Sequence, residues 1–415
     1  MTQSADRSPA RRLLPLVIPG VVVGIASAVL LIGLTVVAGW LEDLLWEGLP
    51  TSLGLAADSP PWTIAVLTLA GVAVGLVVTF APGHAGPDPA TTELAAPPLP
   101  LIVMPGLAIA VIVTLGSGVS LGPENPILAI NIGLAVAIGA RLLPRLPAQA
   151  WSGLAFAGTV GAMFGTPIGA ALLLSEAPDT SGRPLWDRLF GPLVAAAAGS
   201  ITMLTLGGES FALTIAPYGS PQLIDLVTGS VIAAGAAAVG LVAIYLFPLI
   251  HAAFHRLGRP IVALVAGGLV LGVLGVVGGQ ISMFKGLEQM KELTATASSY
   301  APIGLAMLAV VKLIALLVAS GSGFRGGRIF PSVFAAVAMG LFVYAAFPQV
   351  PQAIALSACL IGLLVAVTRS GWLAIFMGAL MVGDPAILPV LAVIVLPAWL
   401  LVTGRPQMVV RPAKA

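Results

Sequence analysis

The chain has 415 residues, of which 59% are hydrophobic and only 8% charged, with a mean hydropathy of +1.09. Soluble domains carry about 25% charged residues, so a water-facing surface cannot be built over most of this chain. The formal charge of +2 offers no broad basic face, and no nucleic-acid partner is expected.

Taken in order, the chain opens with Arg7, Arg11 and Arg12, then runs uncharged over 13–41. That run is too long for a signal-peptide core and lacks an obvious cleavage site, so it reads as a first membrane helix. Further uncharged runs cover 94–123, 146–175, 260–284 and 329–368; each exceeds the roughly 20 residues of a helical crossing. The chain is therefore expected to be an all-α, polytopic membrane protein in a lipid bilayer. The segment 40–61 holds Glu42, Asp43, Glu47 and Asp58 with no Lys or Arg, whereas Arg405, Arg411 and Lys414 follow the last apolar run. By the positive-inside rule both termini face the cytoplasm.

Helical segments are predicted near 13–40, 62–81, 101–116, 126–142, 150–163, 167–177 and 188–206. A second set is predicted near 223–250, 260–280, 302–320, 331–347, 351–367, 371–382 and 386–403. Several are too short to cross, and half-length helices are stable in lipid only where their ends are buried or line an aqueous cavity. The division between the sets gives a cytoplasmic N-terminal tail (1–12), a first membrane repeat (13–207), a second (208–406) and a C-terminal tail (407–415). The single Cys359 allows neither an intrachain disulfide nor a thiolate metal cluster. No cofactor and no resident metal are expected.

Duplication is written most clearly in one motif. "GSGVSLGPENP", Gly116 to Pro126, returns as "GSGFRGGRIFP", Gly321 to Pro331, 205 residues later. A weaker echo sets "AGVAVGL" at 70–76 against "GGLVLGV" at 267–273. In the first copy Pro123, Glu124, Asn125 and Pro126 have the grammar of a helix start. Free N–H groups there attract anions without a basic side chain, and glycines let an ion approach the backbone. Glu124 can be read as a cap on its own helix. An acid in an apolar segment costs about 2.5–3.5 kcal/mol, however, which makes a functional role the stronger reading. The second copy carries Arg325 and Arg328, either of which could raise the potential of an anion or pair with Glu124.

These residues resemble the chloride channel (CLC) family of anion channels and chloride–proton exchangers, and within it a small bacterial branch of ion-transport proteins. "GPENP" matches the family's G-K/R-E-G-P signature and "GSGFRGGRIFP" its G-x-F-x-P signature, with Ile329 in place of phenylalanine. Lys312 stands where a base commonly precedes the latter. "GHAGPD" at 83–88 matches G-S-G-I-P-E, with His84 for the serine and Asp88 for the acid. The resemblance implies an inverted repeat of broken, tilted helices, a homodimer with one pore per subunit, and an inner (plasma) membrane location. It makes Glu124 the gate, and implies an anion site drawn from His84, Gly122, Pro123, Asn125, Gly327, Arg328, Ile329, Phe330 and Met408.

Departures from the family are specific. The exchangers' inner proton-transfer glutamate falls on Ala177, with Glu176 beside it as a possible proton relay, and Met408 replaces the central-site tyrosine. Transport of chloride or another small anion by a channel-like or loosely proton-coupled route is therefore expected, and a chloride/proton or fluoride antiporter using Glu176 is the alternative. Two other patterns compete. "GVSLG" at 118–122 fits the G-x-S-x-G of serine hydrolases with Ser120 as nucleophile, but that motif needs a strand before it. "HAAFH" places His251 and His255 four apart, able to share a metal. Ala252 stands where a metalloprotease would carry its glutamate, and a basic helix end at the membrane interface is the expected role.

Overall fold

The computed structural model describes residues 11, 13–92, 97–177, 182–208 and 211–411. Arg7, Arg12 and Lys414 lie outside these residues, as do most of the two expected tails. Among the described residues there is no strand, and nine helices are long and apolar enough to cross a membrane. The all-α, multi-pass expectation holds.

Helices run in the order α1 (Val17–Asp43), α2 (Pro60–Phe80), α3 (Met104–Gly116), α4 (Glu124–Leu142), α5 (Ala148–Phe164), α6 (Pro167–Glu176) and α7 (Leu185–Thr205). There follow α8 (Leu223–His255), α9 (Pro260–Gly278), α10 (Leu287–Ala295), α11 (Pro302–Ser322), α12 (Ile329–Ala346), α13 (Gln352–Thr368), α14 (Gly371–Val382) and α15 (Leu388–Val402). Proline opens α2, α6, α9 and α11. Its fixed φ suits the first turn and its missing N–H is no loss there.

Two features depart from the expected segments. Beyond Asp43 the first helix continues through a π-turn, Leu44–Gly48, in which Trp46 is buried, to Leu49–Ser52. The Trp46 ring meets Phe284 edge-on at 5.7 Å. The second is α10, which no uncharged run announced, since it carries Glu288, Lys291 and Glu292. It buries Leu287, Met290, Leu293 and Thr294, the spacing of one helical face.

Contacts group the described chain into two compact units, neither a sequence half. One holds the chain up to Thr35 and the stretch from Ile127 to 208. Within it α1, α5 and α7 pack backbone to backbone. A Cβ on Gly24 would overlap the Ala195 carbonyl, and one on Gly199 the Gly158 carbonyl. Lipid supplies no hydrophobic drive between helices, so small residues that permit such contact hold them together. Asn131 adds a hydrogen bond from Nδ2 to the Thr159 hydroxyl, 2.8 Å long.

The other unit holds Val36–Leu94, Ile102–Pro126 and the chain from Phe211. Its centre is α13, whose residues from Ala353 to Ala366 are all buried. This explains how a 17-residue helix is accommodated in lipid. The weak echo proves structural here. A Cβ on Gly71 would overlap the carbonyl of Leu264 in α9, and a Cβ on Gly268 would overlap that of Leu67 in α2. Gly75 likewise faces Ile261, and Gly272 faces Ile64. Each contact is returned by the residues 197 positions along, as an inverted pair of equivalent helices requires.

Candidate functional site

The repeated motif folds alike in its two copies. Gly118 and Gly323 both take positive φ, 88° and 101°, a conformation that side chains resist. After each turn comes Gly122 or Gly327, and then a helix that starts at Glu124 in one copy and at the matching Ile329 in the other. The two glycines pair with each other as an antiparallel bridge. Gly122 N–H donates to the Gly327 carbonyl at 3.0 Å, and Gly327 N–H to the Gly122 carbonyl at 2.6 Å. Equivalent residues exchanging equivalent bonds place a local pseudo-two-fold axis between them.

Glu124 lies against this bridge and is fully buried. Its carboxylate reaches across to the other copy of the motif as well as facing its own helix start. Oε1 accepts the Phe330 N–H at 2.6 Å, in the first turn of α12. Oε2 is buried without a hydrogen-bond partner among the described residues. A Cβ on Gly122 or on Gly327 would overlap Oε2, so only glycine leaves room for the acid at either place. A negative group is thus held by the Phe330 amide, with the N–H groups of Ile329 and of Glu124 itself nearby, at the positive end of a helix.

The arginines are spent elsewhere. Arg325 donates from Nε to the Ala85 carbonyl at 2.9 Å, from Nη1 to Gly323, and from Nη2 to His84 and Gly86 at 3.0 Å each. Arg328 donates from Nη2 to Pro89 at 2.7 Å and Thr92 at 2.8 Å, with its guanidinium 5.7 Å from the Phe247 ring centre. Of the two roles open to them, neither arginine bonds to Glu124; both bond to main-chain carbonyls, which match the guanidinium's fixed fork.

Those carbonyls make the segment 83–92 a clasp on the entrance to α12. His84 belongs to it through its carbonyl. Its exposed ring has Nδ1 3.0 Å from the Val78 carbonyl, and the residue adopts a φ of 53°. Met408 is buried, and the chain just beyond it joins the same clasp through the Val410 N–H to the Ala90 carbonyl, 2.8 Å. So three of the segments singled out in the sequence, 83–88, 321–331 and the one around Met408, do converge. Pro123, Ile329 and Phe330 are buried and Asn125 is half-buried. Phe330 packs on Phe211, ring centres 5.1 Å apart. Glu176 ends α6 in the other unit and is exposed, followed by Ala177 as the C-cap.

Two features lay beyond sequence reasoning. Lys312, fully buried in α11, donates to the carbonyls of Ser282, Met283 and Phe284 at 3.0, 2.7 and 2.8 Å, with the Phe334 ring centre 4.9 Å away. Phe284 N–H in turn donates to Gly118 at 2.9 Å, so Lys312 braces the turn that leads to Glu124. Asp88, besides capping Ala90, meets His251 and His255. Ser120 is buried in the turn between α3 and α4, with no strand before it and no partner for its hydroxyl among the described residues. The hydrolase reading loses the structural context that it needs.

Residues 69–403 match the family described as "Voltage gated chloride channel". The "Putative ion-transport protein YfeO" of Escherichia coli K12 is 50% identical over 406 residues, 98% of this chain and 97% of that one. Among solved structures, a slow cyanobacterial Cl−/H+ antiporter is similar with a TM-score of 0.77 at 17% identity, over 95% of this chain and 96% of that one. A CLC-type fluoride/proton antiporter has a TM-score of 0.75 at 18% identity, over 98% of each. The matched family spans most of the chain and the relative nearly all of it, and both agree with the inverted pair of motifs around Glu124: this chain belongs to the voltage-gated chloride channel family.

Proposed function

We propose that the protein carries a small inorganic anion, chloride or one like it, across the membrane through a pore gated by Glu124. The observation that supports this most is the bond from the Phe330 N–H to the Glu124 carboxylate, made across the two copies of the motif. Ionised, the acid occupies the seat at the start of α12 as a tethered competitor; protonated, it loses its charge and yields the seat to a free anion. The fold likeness to antiporters for Cl− and F− supports an anion as cargo, and the 50% identical relative supports ion transport. The two repeats, 13–207 and 208–406, would be the inverted halves, and the working unit a homodimer in the plasma membrane with both termini cytoplasmic. The protein is a transporter and not an enzyme.

Channel-like or loosely proton-coupled transport is the reading favoured here. The residue on the exchangers' relay position is Ala177, the C-cap of α6, which cannot carry a proton, and a carboxylate one residue away on a helix points about 100° elsewhere. Purified protein in liposomes tests both levels at once. Radiolabelled or electrode-detected efflux of Cl−, F− and NO3− is expected to exceed that of empty vesicles, with little proton movement when an anion gradient is imposed. No efflux of any of the three would overturn the transport reading. Proton uptake in a fixed ratio to anion, lost in Glu176→Gln, would establish the antiporter alternative.

A further inference from the structure

His251 and His255 lie one turn apart at the end of α8, their rings stacked with centres 3.8 Å apart. Both Nε2 atoms lie beside one atom, Oδ2 of Asp88: that of His251 in a hydrogen bond of 2.8 Å, that of His255 at 3.2 Å. The second ring is already committed on its other side. His255 Nδ1 is 3.1 Å from the His251 carbonyl, which can only accept, so Nδ1 carries the hydrogen. In the neutral imidazole, Nε2 of His255 then presents a lone pair to a carboxylate oxygen. Two acceptors 3.2 Å apart repel unless a proton or a metal ion lies between or beside them.

We propose that Asp88, His251 and His255 form a three-ligand site for a divalent transition metal of the zinc class. The donor set is the nitrogen and oxygen mixture such ions take, with a fourth position left to water. Bonds of about 2.0–2.2 Å in a tetrahedral arrangement put donor atoms about 3.3 Å apart, and the three donors here all lie within 4.8 Å of one another. The His255 Nδ1–H to carbonyl bond is the outer contact that commonly fixes a ligating ring. Access is provided by the half-exposed His255, whose side chain is 52% accessible. It lines, with Asp88, a cavity of about 280 Å³. Arg259 and Arg325 line it too and oppose a cation, but the Arg325 guanidinium is turned onto four carbonyls.

The place of Asp88 gives the site a consequence. It sits in the segment 83–92, between the carbonyls that hold Arg325 and those that hold Arg328. A metal would tie this clasp to the end of α8. Binding needs no transport to be measured, so its failure and the failure of the transport reading are separable.

The test uses untagged full-length protein, stripped with chelator and titrated with Zn²⁺ by calorimetry and with Co²⁺ by visible absorbance. One equivalent per chain is expected, with the Co²⁺ bands of a low-coordinate nitrogen and oxygen site. The melting temperature should rise with Zn²⁺. His255→Ala removes an exposed ligand and leaves Asp88 and its cap on Ala90 intact. It should weaken binding by at least the roughly tenfold that outer-contact changes cost, and His251→Ala/His255→Ala should abolish it. If wild type binds less than one equivalent, or binds no more tightly than His255→Ala, the cluster holds a proton and the proposal falls.

Discussion

Lys312→Met is expected to cost about 3–5 kcal/mol of stability, a large share of the about 5–15 kcal/mol that holds an ordinary domain. An ammonium has three donors, and all three find carbonyls, those of Ser282, Met283 and Phe284. Methionine keeps the length of the stem and removes every one of them, leaving buried carbonyls without the charge that held them. The damage should travel. Phe284, with a φ of 57°, passes the brace to Gly118 through its N–H, and Gly118 opens the turn before Glu124. Thermal unfolding in detergent reads the first effect, and anion flux per folded molecule reads the second. A variant that melted and transported like wild type would show that Lys312 is a tolerated burial and not a brace.

Gly327→Ala should abolish most transport while costing little of the fold beyond the site. A methyl group there would enter the space of Glu124 Oε2, and an anion in the same seat would meet the same methyl. Overfilling a packed site costs about 1–3 kcal/mol. Charged to occupancy of the seat, that is a fall in flux of about 5- to 150-fold. Gly39→Ala is the matched control, since a Cβ there meets nothing within 4 Å and alanine favours a helix. Flux in Gly327→Ala equal to that of Gly39→Ala would place the anion elsewhere.

Much of the fold was legible because lipid and proline write strong signals. An uncharged run announces a span, and a proline at its head announces where it begins. The predicted segments 260–280 and 302–320 begin where α9 and α11 do, at Pro260 and Pro302, for that reason. Where charge and burial mix, as in α10, hydropathy alone is silent, and only the spacing of Leu287, Met290 and Leu293 carried the signal. The site was legible as far as repetition goes. Matching motifs 205 residues apart indicated matching turns, and the Gly122–Gly327 bridge joins them at corresponding positions. The partners of Arg325 and Arg328 were not legible, because a main-chain carbonyl belongs to every residue and has no sequence signature. For the same reason the acid of the first copy could be assigned to its own helix as readily as to the amide of Phe330. Nor could "HAAFH" reveal Asp88, which lies 163 residues away from His251.

The central claim is that ionised Glu124 and the transported anion compete for one seat. Glu124→Gln keeps the shape of the protonated acid and removes its charge, so the measurement is anion efflux from liposomes across a pH series, wild type beside Glu124→Gln. Wild-type flux should rise as pH falls, because above its pKa the protonated fraction of the acid grows about tenfold per pH unit. Glu124→Gln should conduct at a high rate at every pH and show no such rise. A well-folded Glu124→Gln protein whose efflux still climbs with acid as wild type does would contradict the account.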